Sequence, residues 1–402
     1  MDGTPELSED LFDVLVVGGG NAGLSVAARL LRRGVVNVAV VEPLAVHTYR
    51  PLLSYVGSGQ ASRSSAERTQ ESVTPDGCTW LQDSAVSVDA QTQAVRCRSG
   101  RVYRYTDLVL APGLVPDDDE LADVFTVLDT EAVASNYLDH AEKTWQLVES
   151  MEAGHAVFTV PRPPVSCTGT TLKPLFLAAA YWRRTGRIDD IDITLVVDRP
   201  DLLGIAEIDV RLRGCLDEIG VQVLNDATVT GVDPAERKLA VRVGDGVEQK
   251  LPYDLLHLVP PFRGPRWIEE SGLADGAAHG VVDTDPTTFR HRVHANVWAL
   301  GDAANVGTDP SGGAIRRQSA ILVDNLLAAR AGGRFKEYDG YTVAPVATDA
   351  HRLMFADFDR TGSLSSSLPS FVDPLKPRRT AWAFDRYVLP QMYWNLILKG
   401  RL

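Results

Sequence analysis

Residues 16–24 read Val16-Val17-Gly18-Gly19-Gly20-Asn21-Ala22-Gly23-Leu24, a G-x-G-x-x-G run carried by Gly18, Gly20 and Gly23. What surrounds the run gives it weight. An apolar strand, Val14 to Val17, leads in, and a helical stretch, Leu24 to Arg33, leads out. A second apolar strand, Val38 to Val41, ends in Glu42. A glycine triplet alone is weak, but a full βαβ unit around it reads as a dinucleotide site. Gly18 makes the tight turn, Gly20 lets the backbone approach a pyrophosphate, and Gly23 lets helix and strand close together. The turn residues Asn21 and Ala22 lead into a helix whose N-terminus offers free N–H groups to phosphate. Glu42, with Pro43 behind it, is placed to accept hydrogen bonds from ribose hydroxyls. A carboxylate there repels a 2′-phosphate, so FAD or NAD suits the site better than NADP.

Composition sets the bounds. A chain of 402 residues is long enough for two or three domains. Hydrophobic content of 45% and charged content of 23% are ordinary for a globular protein. A net charge of −13 argues against nucleic-acid binding and against broad attachment to anionic lipid. No apolar stretch is long enough to span a bilayer. The first residues are acidic and polar (Asp2, Glu6, Glu9, Asp10), unlike a signal peptide, so a cytoplasmic location is expected. Four scattered cysteines, Cys78, Cys97, Cys167 and Cys215, form no C-x-x-C or Cys/His cluster, and no metal is expected.

Strands and helices alternate along the chain, the mark of an α/β protein. A polar run, Gly57 to Thr74, is expected to be exposed. Tyr103 to Gly113 is an apolar strand stopped by Ala111-Pro112-Gly113, near the first nucleotide site. A second α/β unit starts near His155. It predicts strands at Ala156–Val160, Ile191–Val197 and Val221–Leu224, and helices at Leu172–Arg184 and Val210–Ile219. Its first turn is Pro161-Arg162-Pro163-Pro164. Proline has no N–H to give a pyrophosphate, so this unit is not expected to bind NAD(P)H. The chain then returns: Val297 to Asp302 is a strand ending in Gly301-Asp302, followed by a helix from about Ala314 to Ala329. The domain expectation is 1–115 with 285–330 as the first unit, 116–284 as the second, and 331–402 as a C-terminal cap.

Gly18–Gly23, Glu42, Ala111-Pro112-Gly113 and Gly301-Asp302 together resemble flavoproteins with two Rossmann-like FAD/NAD(P)-type domains, the glutathione-reductase-like fold. Finer features narrow this. His47-Thr48-Tyr49-Arg50-Pro51 follows Glu42, and Pro164-Val165-Ser166-Cys167-Thr168-Gly169 follows the first strand of the second unit. Val259-Pro260-Pro261 precedes the return, Gly301-Asp302-Ala303-Ala304-Asn305 leads to Gln318, and Tyr338-Asp339-Gly340-Tyr341-Thr342 and Tyr393-Trp394-Asn395 come late. With these the chain is similar to the sulfide:quinone oxidoreductases, the branch that includes the mitochondrial enzymes, from about Asp13 to Gly400.

The resemblance implies FAD held by Gly18, Gly20, Asn21, Ala22, Gly23, Glu42, Pro43, Arg50, Pro51, Ala111, Pro112, Gly113, Gly301 and Asp302. It also implies sulfur chemistry on two cysteines that flank the flavin. One matches Cys167. The other falls at Ala344, where this chain has no thiol. A basic residue of the family in the loop after Gly301-Asp302 is replaced near Pro310. Relatives also continue past the position of Leu402 into an amphipathic tail that contacts the membrane.

Cys167 precedes a helix expected to start near Thr170, and Lys173 is one turn on. Both features favour a thiolate. The expected function is an FAD-dependent oxidoreductase acting on sulfide, a small thiol or a persulfide through Cys167, with electrons passing to a quinone or to oxygen. Phe355, Tyr393 and Trp394 are candidates for an acceptor pocket, against a plain reading as core for the C-terminal apolar run. Two further readings stay open: an FAD-dependent enzyme of another metabolite without sulfur chemistry, and a non-catalytic flavin-binding partner. Weak peripheral membrane contact and a homo-oligomer are compatible with the sequence.

Overall fold

A computed structural model describes residues 10–364, 373 and 375–402. The strand before the glycine run, Asp10–Val17, lies between Val38–Val41 and Val102–Leu110, all parallel. Cys78–Leu81 extends one side, and Val297–Ala299 joins the far end of Val102–Leu110. Two antiparallel strands, Ala94–Cys97 and Ala85–Asp89, complete this seven-stranded sheet. Val14, Leu15 and Val16 are fully buried. A parallel strand covered on both faces is continuously apolar rather than alternating, as this one is.

The first helix runs Asn21–Arg32, so it begins directly after Gly20 rather than at Leu24. Gly23 permits this: a Cβ there would collide with the carbonyl oxygen of Gly18. The polar run 57–74 is not simply exposed. It folds into Arg63–Ala66, Glu67–Thr69 and Gln70–Val73, and Ala66, Gln70 and Val73 are buried. Gln70 goes inside because its amide donates to the Gly19 carbonyl at 3.1 Å.

The second unit has five parallel strands in the order Val133–Ala134, Leu255–His257, Gly154–Val160, Ile191–Val197, Gln222–Leu224. The predicted helix 172–184 is present as Lys173–Thr185, preceded by a separate turn, Thr168–Thr171, and the next helix is Ala206–Ile219. An antiparallel sheet, Ala227–Asp233, Lys238–Val243 and Glu248–Pro252, was not foreseen. Where the chain crosses between units, Val115–Pro116 pairs with Phe262–Arg263. The first unit resumes soon after this pair, not at 285. Ile268, Leu273 and Val282 already pack in its core.

The C-terminal segment is not a separate cap. Its hairpin, Thr342–Asp349 with Arg352–Phe358, packs Ala344, Val346 and Met354 into the second core. Tyr393, Trp394, Ile397 and Leu398 pack into the first. The segment therefore spans the seam between the units. Among the described residues, no helix is long and apolar enough to cross a membrane.

Candidate active site

The three motif glycines differ in what a side chain would meet. At Gly18, with φ of +105°, a Cβ would strike the Ala111 carbonyl, and its third neighbour would be Pro112 at 3.0 Å. At Gly23 it would strike Gly18. At Gly20 it would meet nothing within 4 Å. Gly18 and Gly23 thus serve packing, while Gly20 faces an open cradle. The helix that begins at Asn21 has no side-chain cap and no acidic residue in its first turn. Its leading N–H groups are left for an anion. Glu42 accepts from the Gly19 amide at 2.8 Å and the Leu44 amide at 2.9 Å. Each of its oxygens keeps a lone pair for a hydroxyl. These residues fit the adenosine and pyrophosphate end of a dinucleotide.

Other predicted residues converge on the same cradle. A Cβ on Gly301 would lie 3.2 Å from that of Ala22, and Asn21 donates to the Gly312 carbonyl at 3.2 Å. Ala111 donates its amide to Val17 at 2.8 Å, and Gly113 has a φ of +73°. Pro51 sits in the short 3-10 turn Arg50–Leu52, and Pro43 is exposed beside Glu42. Arg50 donates to the Tyr137 carbonyl at 2.8 Å. The Tyr137 hydroxyl donates to the carbonyls of Ser166 and Cys167, each at 3.2 Å. Burial raises the pKa of Asp302, opposed by a hydrogen bond from Ser166 and by Arg50. Arg50, Tyr137, Asp302 and Cys167 therefore meet across the seam.

Cys167 stands at the N-cap of the four-residue turn Thr168–Thr171, with a φ of +58°. Its thiol receives a hydrogen bond from Thr170 at 3.2 Å and points to the Val343 carbonyl at 3.9 Å. The expected thiolate is corrected here. Burial, followed by the charge of Asp309, pushes the Cys167 pKa up to about 11. A single turn is too short for a strong dipole. Lys173 is fully buried and its ammonium is bound to Asp385 at 3.0 Å, with Tyr55 donating to the same carboxylate at 2.6 Å. Its charge is thus mostly neutralised before it reaches the sulfur.

Asp309 is the residue the sequence did not reveal. Its carboxylate accepts from the Thr168 amide at 3.0 Å and the Thr168 hydroxyl at 2.5 Å. Arg199 donates to the same hydroxyl at 3.3 Å and to the Pro161 carbonyl at 3.0 Å. Burial raises Asp309 to about 6. Ala344 is fully buried in the neighbouring strand, and a Cβ on Gly169 would lie 2.8 Å from its own.

The predicted acceptor trio is not brought together. Tyr393 and Trp394 are packed on His47 and Tyr49, with the Tyr49 and Tyr393 rings 4.4 Å apart. Phe355 faces Phe384 at 6.1 Å instead. The core reading holds for Tyr393 and Trp394.

In the second unit, the loop that replaces the glycine run is closed by charge. Arg162 donates to both oxygens of Glu120, at 3.0 and 2.9 Å, and to Asp117 at 2.9 Å. The two carboxylates repel phosphate, and the prolines supply no N–H. His279 comes close to Asp117 and Glu120, whose carboxylate oxygens already accept hydrogen bonds from Arg162.

A family model described as pyridine nucleotide-disulphide oxidoreductase matches residues 12–323. The mitochondrial sulfide:quinone oxidoreductase of Mus musculus is 32% identical over 97% of this chain and 87% of its own length. The chain belongs to the sulfide:quinone oxidoreductase family. The family's two-domain α/β fold is present, and the chain is an FAD-dependent oxidoreductase. The sulfide:quinone oxidoreductase of Aquifex aeolicus superposes with a TM-score of 0.79 at 16% identity, over 97% of this chain and 92% of that one. A chain of the Tetrahymena thermophila mitochondrial ATP synthase superposes at 0.85 with 17% identity, over 100% and 99% of the two chains. At such identities the superpositions speak for the fold alone.

Proposed function

We propose that this member of the sulfide:quinone oxidoreductase family oxidises sulfide, or a small thiol or persulfide, at Cys167 and delivers the electrons to a quinone or to oxygen. The observation that supports it most is the position of Cys167. It is tied by Tyr137 to Arg50, and the preceding residue, Ser166, hydrogen-bonds Asp302, at the seam where the flavin-binding residues of the first unit meet the second. FAD, when bound, supplies an acceptor for an electron pair. The rest falls to side chains. Cys167 and hydrogen sulfide together lose two protons and two electrons and form a persulfide on Cys167. Thr170 donates a hydrogen bond to that sulfur. Asp309, raised to about 6, is a base near the thiol.

A single thiol cannot close a disulfide with position 344. An external thiol takes the outer sulfur, and Cys167 recovers its proton. NAD(P)H has no part, since Arg162 and its carboxylates occupy the loop a pyrophosphate would need. Peripheral contact with a membrane has one support: Phe384, Tyr387 and Val388 remain exposed at 39%, 56% and 44%. The test is mass spectrometry after turnover with sulfide and a soluble quinone. The Cys167 peptide is expected to gain one sulfur atom; its absence under turnover removes the reading. Ala344 favours the second reading, a flavoenzyme without sulfur chemistry, for which Cys167→Ser would leave turnover intact.

A further inference from the structure

The backbone of Gly19 is held on both sides of its Cα. Its N–H donates to Glu42 at 2.8 Å. Its carbonyl accepts from Gln70 at 3.1 Å and lies 3.0 Å from His47 Nδ1. A Cβ on Gly19 would fall 2.5 Å from the Gln70 amide and 2.7 Å from Glu42, so only glycine fits. His47 is buried, and burial lowers its pKa and keeps it neutral. With its Nδ1 proton on the Gly19 carbonyl, Nε2 is an acceptor. Tyr393 supplies the donor, its hydroxyl 2.6 Å from Nε2. Nearby, Ile397 accepts from Ser25 at 3.5 Å, and a Cβ on Gly400 would lie 2.8 Å from the Arg29 amide. The end of the chain thus touches both the glycine run and the helix that follows it.

We propose that Tyr393, acting through His47, is a positioning residue for the flavin. It fixes the Gly19 peptide so that Gly20 stays turned to the pyrophosphate cradle, and the C-terminal segment thereby sets how tightly FAD is held. The chain Tyr393–His47–Gly19–Glu42 is continuous, and each link is a buried or half-buried hydrogen bond, where geometry is least compensated by water.

The test uses the purified holoenzyme, diluted while free-flavin fluorescence is followed. Tyr393→Phe keeps the ring packed against Tyr49 and removes only the hydroxyl. It is expected to release FAD about threefold to tenfold faster, the range of one lost buried hydrogen bond. His47→Asn should do the same, and the double variant should be no faster than His47→Asn alone. The unfolding temperature should fall further for the FAD-bound form than for the FAD-free form, whereas a merely structural contact would lower both equally. Wild-type release by Tyr393→Phe, multiplied effects in the double variant, or equal loss of unfolding temperature in both forms each overturns the proposal. If His47→Asn fails to fold, Tyr393→Phe and its two unfolding temperatures decide alone.

Discussion

The Sγ of Cys167 lies 3.9 Å from the carbonyl oxygen of Val343, the residue before Ala344. The strand that carries Ala344 therefore runs directly past the Cys167 thiol. Ala344→Cys adds a sulfur to that strand where the side chain already packs against Gly169. Mild oxidation of this variant is expected to remove two titratable thiols relative to its reduced form, and Cys167→Ser in the same background should prevent it. Retention of all thiols would show that the strand carries position 344 away from Cys167.

Asp309 raises the Cys167 pKa by its charge, and Thr170 lowers it by its hydrogen bond. The wild-type thiol, with its pKa near 11, should be alkylated slowly by iodoacetamide at pH 8, and faster as pH rises toward that value. Asp309→Asn removes the repulsion, so more thiolate exists at a given pH and alkylation should speed up. Thr170→Val should slow it. A pH profile of alkylation for the three proteins checks both signs.

How much of this was legible in the sequence follows from the range of each interaction. The glycine run and its βαβ frame announce themselves, because a tight strand-to-helix turn is written in local backbone demands. The Pro161–Pro164 turn is equally local, since the absence of proline N–H groups is read residue by residue. Asp309 did not, because its partner Thr168 is 141 positions away and a lone aspartate in a loop carries no pattern. The tie between His47 and Tyr393 spans 346 positions. The thiolate expectation failed because dipole and lysine were weighed without burial, the largest influence on Cys167.

The glycines separate folding from binding. Gly23→Ala drives a Cβ into the Gly18 carbonyl and should lower stability and FAD binding together. Gly20→Ala meets no protein atom within 4 Å, so it should fold like wild type and bind FAD weakly. Thermal unfolding with and without FAD distinguishes the two.

Lys173 and Asp385 form a fully desolvated pair. Lys173→Met leaves the carboxylate of Asp385 with Tyr55 alone and should cost about 3–5 kcal/mol in denaturant unfolding. Replacing both partners with apolar residues should recover much of the loss, because no unpaired charge then remains. A single variant as stable as wild type would mean that the pair is solvated in solution.

The most direct measurement is anaerobic mixing of the holoenzyme with sulfide and, separately, with NADH, while the flavin band at about 450 nm is followed. The account predicts bleaching by sulfide, its loss in Cys167→Ser, and no bleaching by NADH. A band unmoved by any sulfur donor, or bleached equally without Cys167, would contradict it.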